Sequence, residues 1–128
     1  MKKKILIAED SVSIALLLEH LLSHKYDVVV ATNGEEALSW LDRGNRPDTI
    51  IADIIMPKVD GWMLLQNIKA SAYLRRIPIM MLSGLEKSEE RIKCFELGAD
   101  EYMIKPFNPQ ELVIRIDNLI NRSNYVRA

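Results

Sequence analysis

The sequence predicts an α/β fold, a doubly wound sheet of five parallel strands with five helices distributed over both faces. Two observations carry this. Short apolar runs of strand length, Lys4–Ala8, Asp27–Ala31, Thr49–Asp53, 77–82 and Glu101–Ile104, alternate with longer segments of helical period. Most of these runs are β-branched and nearly continuous in hydrophobicity, as a strand buried on both faces reads. Such βα units in succession imply a parallel sheet with right-handed crossovers. They also place a site in the crevice beyond the carboxyl ends of the strands.

The segments between the strands justify themselves in order. The first predicted helix, 12–24, follows Glu9 and Asp10. The second, 34–43, opens on Asn33, whose side chain can cap it, with Glu36 three residues on completing a capping box. Gly44 ends it. The third spans 61–71. The fourth spans 87–97 and stops at Gly98. The fifth, 109–122, has an N-cap in Asn108, a proline in its first turn at Pro109 and a second box through Glu111. Its Leu112, Val113, Ile116, Leu119 and Ile120 keep the helical period. No repeat, linker or low-complexity stretch interrupts the pattern. The expectation is one domain over 1–124 and a short polar tail, 125–128, that frays.

Composition narrows the function classes. With 128 residues, 48% hydrophobic and 27% charged, the chain is an ordinary globular mix. A chain of this size buries roughly two-thirds of its unfolded surface, enough for a core without staples. Lys plus Arg number 17 and Asp plus Glu 18, a net charge of −1 that gives no global argument for nucleic-acid binding. Cys94, the single cysteine, excludes an intrachain disulfide and a cysteine-rich zinc site, and suits a reducing compartment. Lys2, Lys3 and Lys4 resemble the start of a secretion signal, but the apolar run after them ends at Ala8. No signal peptide or membrane span fits. The expected location is the cytoplasm.

Polar residues at the predicted strand ends carry the chemistry. Glu9 and Asp10 follow the first strand, Asp53 ends the third, Ser83 follows the fourth and Lys105 the fifth. Each has a bland reading: a solvated turn or helix cap for Glu9 and Asp10, a turn former before Pro57 for Asp53, turn chemistry for Ser83-Gly84, a solvated lysine before Pro106. Together they bring three carboxylates to one edge, which repel unless a cation sits among them. A hard cation such as Mg²⁺ fits one or two direct carboxylates plus waters and leaves room for phosphate oxygens.

The ordered set resembles the receiver domain of response regulators, the phosphorylatable module of two-component signalling. The matching residues are Glu9-Asp10, Asp53-Ile-Ile-Met-Pro57 followed by Asp60-Gly61, Ser83-Gly84, and Gly98-Ala-Asp-Glu-Tyr102 leading into Lys105-Pro-Phe107. The resemblance covers residues 3–122. It implies a flavodoxin-like strand order of 2-1-3-4-5. It makes Asp53 the phosphoacceptor, with Mg²⁺ held by Asp10, Asp53 and the backbone carbonyl of Ile55, and by Glu9 through water. Lys105 would pair with a phosphate oxygen, across a cis peptide bond to Pro106. Ser83 would move to hydrogen-bond the phosphoryl group, and Tyr102 would rotate inward behind it. The implied donor is a sensor histidine kinase or a histidine phosphotransfer protein, with small phosphodonors as substitutes. The implied readers are a downstream effector protein or a fused output domain.

Three positions qualify that resemblance. Glu9 stands where the family more often has Asp, which tunes metal affinity. Gly84 stands where Ala is common, which loosens the loop after Ser83. Ile55, apolar, cannot position an attacking water by hydrogen bonding, so a long-lived phosphoryl group is expected. Among the remaining residues, Cys94, Met80 and Met81 read as core. Tyr102 alone would be a half-buried edge-strand aromatic. His20 and His24, four apart, have a metal-compatible spacing but no apparent third ligand, and a helix surface explains them. Trp62, in the loop after the site, would report occupancy by fluorescence.

The leading expectation is thus a switch rather than a turnover enzyme. Phosphate at Asp53 would bias the segments 83–90 and 102–106 and alter the surface of the fourth helix, fifth strand and fifth helix. Arg91, Asp100, Glu101, Glu111, Arg115 and Arg122 on that surface could pair across a homodimer, with solvated helix faces as the alternative. No direct nucleic-acid or membrane contact is expected of this chain. Two other classes compete. One is a degenerate receiver that binds partners without phosphate. The other is a haloacid dehalogenase-type phosphohydrolase, which resembles Asp-x-Asp and would need a general acid where Ile55 stands. The chain reads equally as a stand-alone receiver or as the front of a longer regulator.

Overall fold

A computed structural model describes residues 2–84 and 88–127, with side chains through Arg122. In it β1 (Lys4–Ala8), β2 (Asp27–Ala31), β3 (Thr49–Asp53), β4 (Ile79–Ser83) and β5 (Glu101–Ile104) form one parallel sheet in the order β2-β1-β3-β4-β5. Helices α1 (Val12–Leu22), α2 (Gly34–Asp42), α3 (Gly61–Ala70), α4 (Ser88–Glu96) and α5 (Pro109–Arg127) supply the crossovers. In-register pairing such as Ala8↔Ala52 and Asp53↔Leu82 brings the strand ends to one level.

Because side chains alternate along a strand, the sheet builds two cores. Leu6, Ala8, Ile50, Ala52 and Met81 point toward Ala37 and Leu41 of α2, Leu64, Leu65 and Ile68 of α3, and Cys94 of α4. Ile5, Ile7, Ile51, Met80 and Leu82 point the other way, onto Leu18 and Leu22 of α1 and Leu112, Ile116, Leu119 and Ile120 of α5. The central strands are therefore buried on both faces, which is why they read as unbroken apolar runs. Cys94, Met80 and Met81 lie in the core, as the sequence suggests.

Several boundaries differ from the sequence reading. The fourth strand starts at Ile79 rather than at position 77, and it includes Ser83. Ile77 turns its N–H back to Leu74 O at 3.0 Å, and Pro78 has no N–H to give. At the other end Ser83 O accepts from Lys105 N at 2.7 Å, which extends the ladder. Helix α1 stops at Leu22, because Lys25 N and Tyr26 N both turn back to Leu22 O. Helix α5 runs on to Arg127, through a polar stretch with neither Gly nor Pro to stop it. The end of α4 is a Schellman motif: Gly98 at φ 106° lets Ala99 N reach Cys94 O and Gly98 N reach Phe95 O, each at 3.0 Å.

Both capping boxes form only by half. Asn33 Oδ1 accepts from Glu36 N at 2.8 Å, and Asn108 Oδ1 from Glu111 N at 2.9 Å. The reciprocal carboxylates have other partners, Thr32 Oγ1 for Glu36 and Arg115 for Glu111.

Candidate functional site

The site is built where β1, β3, β4 and β5 end. Glu9 continues β1, its N–H bonded to Ala31 O at 3.0 Å, and its side chain is buried beneath the edge. Glu9 Oε2 accepts from Ser11 N at 3.1 Å, so the carboxylate also braces the entry to α1. Asp10 stands exposed beside it. Asp53 ends β3 with a buried side chain, and Lys105 follows β5 across a cis peptide bond to Pro106.

Lys105 ties the acids together. Its Nζ lies 2.7 Å from Glu9 Oε1 and 3.1 Å from Asp53 Oδ2. One carboxylate oxygen from each of Glu9, Asp10 and Asp53 lies within 4.8 Å of the others. Burial, foremost, pushes the Glu9 carboxyl up to about 7; the hydrogen bonds from Lys105 and Ser11 partly oppose this, and the Asp53 charge adds to it. Burial alone would lower the Lys105 pKa, but its hydrogen bonds to Glu9 and Asp53 and their charges hold it above the ordinary lysine value.

Three carboxylates thus face one ammonium, and Asp10 makes no ion pair among the described residues. That is a negative cradle of oxygen donors. On a small octahedral cation with bonds of about 2.1 Å, opposite ligands stand roughly 4.2 Å apart, so the cluster needs only a small contraction to hold one. The residues present fit a divalent metal ion.

The approach of α3 shapes the floor. Asp60 caps it, its Oδ1 accepting from Met63 N at 3.0 Å, and Gly61 N donates to Ile54 O at 2.7 Å. A Cβ on Gly61 would lie 2.3 Å from Asp53 O, so only glycine lets the helix come this close to the strand end. Ile55 projects outward at 62% exposure. On the other flank Ser83, buried at the end of β4, shares a side-chain hydrogen bond with Tyr102 of β5. Burial, first, raises the Tyr102 phenol pKa, and the bond to Ser83 opposes it.

Every predicted site residue therefore comes to one edge. Glu9, Asp10, Asp53 and Lys105 form the cluster, Ile55 lies just past Asp53 with its side chain turned to solvent, and Ser83 and Tyr102 stand on the adjacent β4 and β5. Two placements differ from the sequence reading. Tyr102 is already buried, only 7% exposed, rather than half-buried at an edge, because α4 covers it beside Cys94. Trp62 belongs to the first turn of α3 rather than to a loop, half-buried, with Lys93 Nζ 4.3 Å from its ring centroid. Part of the expected mobile segment, residues 85–87, lies outside the described residues. The Glu9–Lys105 pair and the Ser83–Tyr102 bond were missed from sequence, because each joins residues distant in the chain.

A five-stranded parallel sheet in the order β2-β1-β3-β4-β5 with a carboxylate–lysine cluster at its carboxyl edge is a doubly wound α/β fold, and comparison with known proteins gives its family. A sequence description of the response regulator receiver domain matches residues 5–117, and the chain belongs to that family. The chain is 45% identical over 124 residues to a probable transcriptional regulator, ycf27, of Guillardia theta, covering 96% of this chain and 47% of that protein. Alkaline phosphatase synthesis transcriptional regulatory protein PhoP of Bacillus subtilis (strain 168) is 38% identical over 124 residues, 96% of this chain and 50% of PhoP. The chain spans about half the length of these curated relatives. Among solved structures, the receiver domain of the Francisella response regulator 1452 superposes with a TM-score of 0.87 at 34% identity, covering 95% of this chain and 99% of that one. Among the described residues no helix is long and apolar enough to cross a membrane.

Proposed function

We propose that this chain is the phosphorylatable switch of a two-component system, accepting a phosphoryl group on Asp53 from a sensor histidine kinase or a histidine phosphotransfer protein. The observation that carries this is Lys105 Nζ bridging buried Glu9 and Asp53, with Asp10 alongside. An Asp53 carboxylate oxygen attacks phosphorus, the P–N bond of the donor phosphohistidine breaks, and the imidazole leaves with its electron pair. Mg²⁺ would be held by Asp10, Asp53 and the carbonyl of Ile55, with Glu9 acting through water; its charge would offset that of the transferring phosphoryl group. Lys105 keeps the phosphoryl oxygens paired from the opposite side.

The switch follows from the flank. Ser83 turns to hydrogen-bond the new phosphoryl oxygen; Tyr102 needs no inward rotation, since its phenol is already buried and bonded to Ser83, and it repacks behind that serine, shifting β5 and α4. The partner surface is that of α4, β5 and α5, where a cleft of about 410 Å³ runs between Arg91, Phe95, Tyr102, Phe107 and Arg115. A homodimer through this face would rest on apolar contacts such as Phe95 and Ile92. Its charges are largely engaged within the chain, Arg115 with Glu101 and Glu111, and Asp100 with Lys69. Such a module acts in the cytoplasm, through an effector or output domain rather than by touching nucleic acid itself.

Nothing in the cluster favours a degenerate module, since each site position keeps a chemically competent group. Exposed, apolar Ile55 argues against a phosphohydrolase with a general acid there. The test is transfer of labelled phosphoryl from a phosphorylated sensor kinase, with Asp53→Asn as the control. Label retained on the wild type alone supports the reading; equal label on Asp53→Asn contradicts it. Slow decay of the label is expected from Ile55, and decay as fast as in chemotaxis-type receivers would remove that part.

A further inference from the structure

Two imidazoles stand together at the far end of α1 from the carboxylate cluster. His20 sits in the last turn of α1 and His24 just past its end, both exposed. Their rings meet edge to face at 76°, with centroids 5.6 Å apart. Among the described residues neither ring makes a hydrogen bond or ion pair, so the nitrogens of both are free to bind a ligand.

The geometry suits chelation. With metal–nitrogen bonds of about 2.0–2.1 Å, a ring centroid sits roughly 3.2 Å from its ion, so two rings on a tetrahedral ion have centroids roughly 5.2 Å apart, and on adjacent positions of an octahedral ion roughly 4.5 Å. The observed 5.6 Å is wider than either, by an amount that side-chain rotation of two exposed rings can close. The negative end of the α1 dipole favours a cation there. Glu19 and Asp27 line the same cleft of about 500 Å³ as His20. Of the nearby cations, Lys2 is turned to Ser23 O at 3.4 Å and Lys25 is paired with Asp117 at 3.4 Å. No third His, Cys, Asp or Glu joins the pair in a ligand group among the described residues, so an ion here would take its remaining ligands from solvent.

We propose that His20 and His24 form a second metal site, a two-imidazole chelate for a borderline divalent transition ion such as Ni²⁺ or Zn²⁺. Imidazole selects such ions over Mg²⁺, which keeps to oxygen. The 11 residues of α1 span roughly 16 Å, so an ion here cannot share ligands with the carboxylate cluster. The inference is independent of phosphorylation at Asp53.

The test is calorimetric titration of the full chain with NiCl₂ in saturating MgCl₂. One ion per chain is expected, with His20→Ala and His24→Ala each weakening binding about tenfold or more as the chelate is lost. Both positions are exposed, and circular dichroism will verify that the variants fold. Thermal denaturation gives a second readout: Ni²⁺ raises the Tm of the wild type and not of the double variant. Absence of binding overturns the proposal. Wild-type affinity in either single variant overturns it as well. So does loss of binding in Asp10→Asn, which would place the ion among the carboxylates.

Discussion

Among the described residues Lys105 is the one cation set between two buried carboxylates, and its removal would leave them facing each other. Breaking a buried pair by removing one partner costs about 3 kcal/mol or more, so Lys105→Met is expected to lower metal-free stability by about 2–4 kcal/mol, the lower end because its side chain keeps some solvent contact. Mg²⁺ should recover part of the loss. Urea denaturation with and without Mg²⁺ checks this, and unchanged stability would show that the pair contributes nothing. Cys94 gives the pH prediction. Burial, then the nearby Glu90 charge, push its thiol up to about 11, against a weaker opposite effect of Lys93. The native state therefore keeps its proton where the unfolded chain loses it. The resulting stability is fully present below about pH 9 and lost as the pH rises toward 11. Cys94→Ala should show a shallower alkaline decline, and the native thiol should resist iodoacetamide at pH 8. At this scale the acids and the lysine were legible in sequence because each follows a strand. The Ser83–Tyr102 bond was not, because it depends on how β4 and β5 are juxtaposed.

Helix α3 owes its seat to Gly61, where a Cβ would lie 2.3 Å from Asp53 O and 2.6 Å from Ile54 Cα. Gly61→Ala must push the helix off the end of β3 and displace the Asp53 carbonyl. The expected destabilisation is about 1–3 kcal/mol, as for other overpacked sites. Chemical denaturation measures it, and a variant as stable as the wild type would mean that α3 is free to move. The same elements explain what sequence reading caught. Strands buried on both faces announce themselves by composition, and β1, β2, β3 and β5 begin and end where their apolar runs do. The start of β4 was misread because Ile77 and Pro78 are as apolar as the strand, and only their hydrogen bonds exclude them. The end of α1 carries no Gly or Pro, so its apolar period gave no stop.

Across the whole molecule the sheet delivers every charged group of the site to one edge, and the unbalanced negative charge there is the property that matters. Mg²⁺ is therefore expected to raise the Tm of the wild type. Asp10→Asn should raise the metal-free Tm slightly, by relieving repulsion among the acids, and abolish the further rise with Mg²⁺. Thermal scans over a Mg²⁺ series check both. A rise with Mg²⁺ preserved in Asp10→Asn would move the metal elsewhere. The convergence of Glu9, Asp10, Asp53, Ser83 and Lys105 was readable because a parallel sheet places its strand ends together, whereas the sheet order came from the resemblance to receiver domains. The pairing of α4–β5–α5 charges within the chain was not, since it depends on side-chain directions that no periodicity records. The measurement that bears most directly on the central claim is the intact mass of the chain after incubation with Mg²⁺ and acetyl phosphate. One added phosphoryl group, absent from Asp53→Asn and from a metal-free sample, is the predicted result; an unchanged mass, or an adduct that persists in Asp53→Asn, would contradict it.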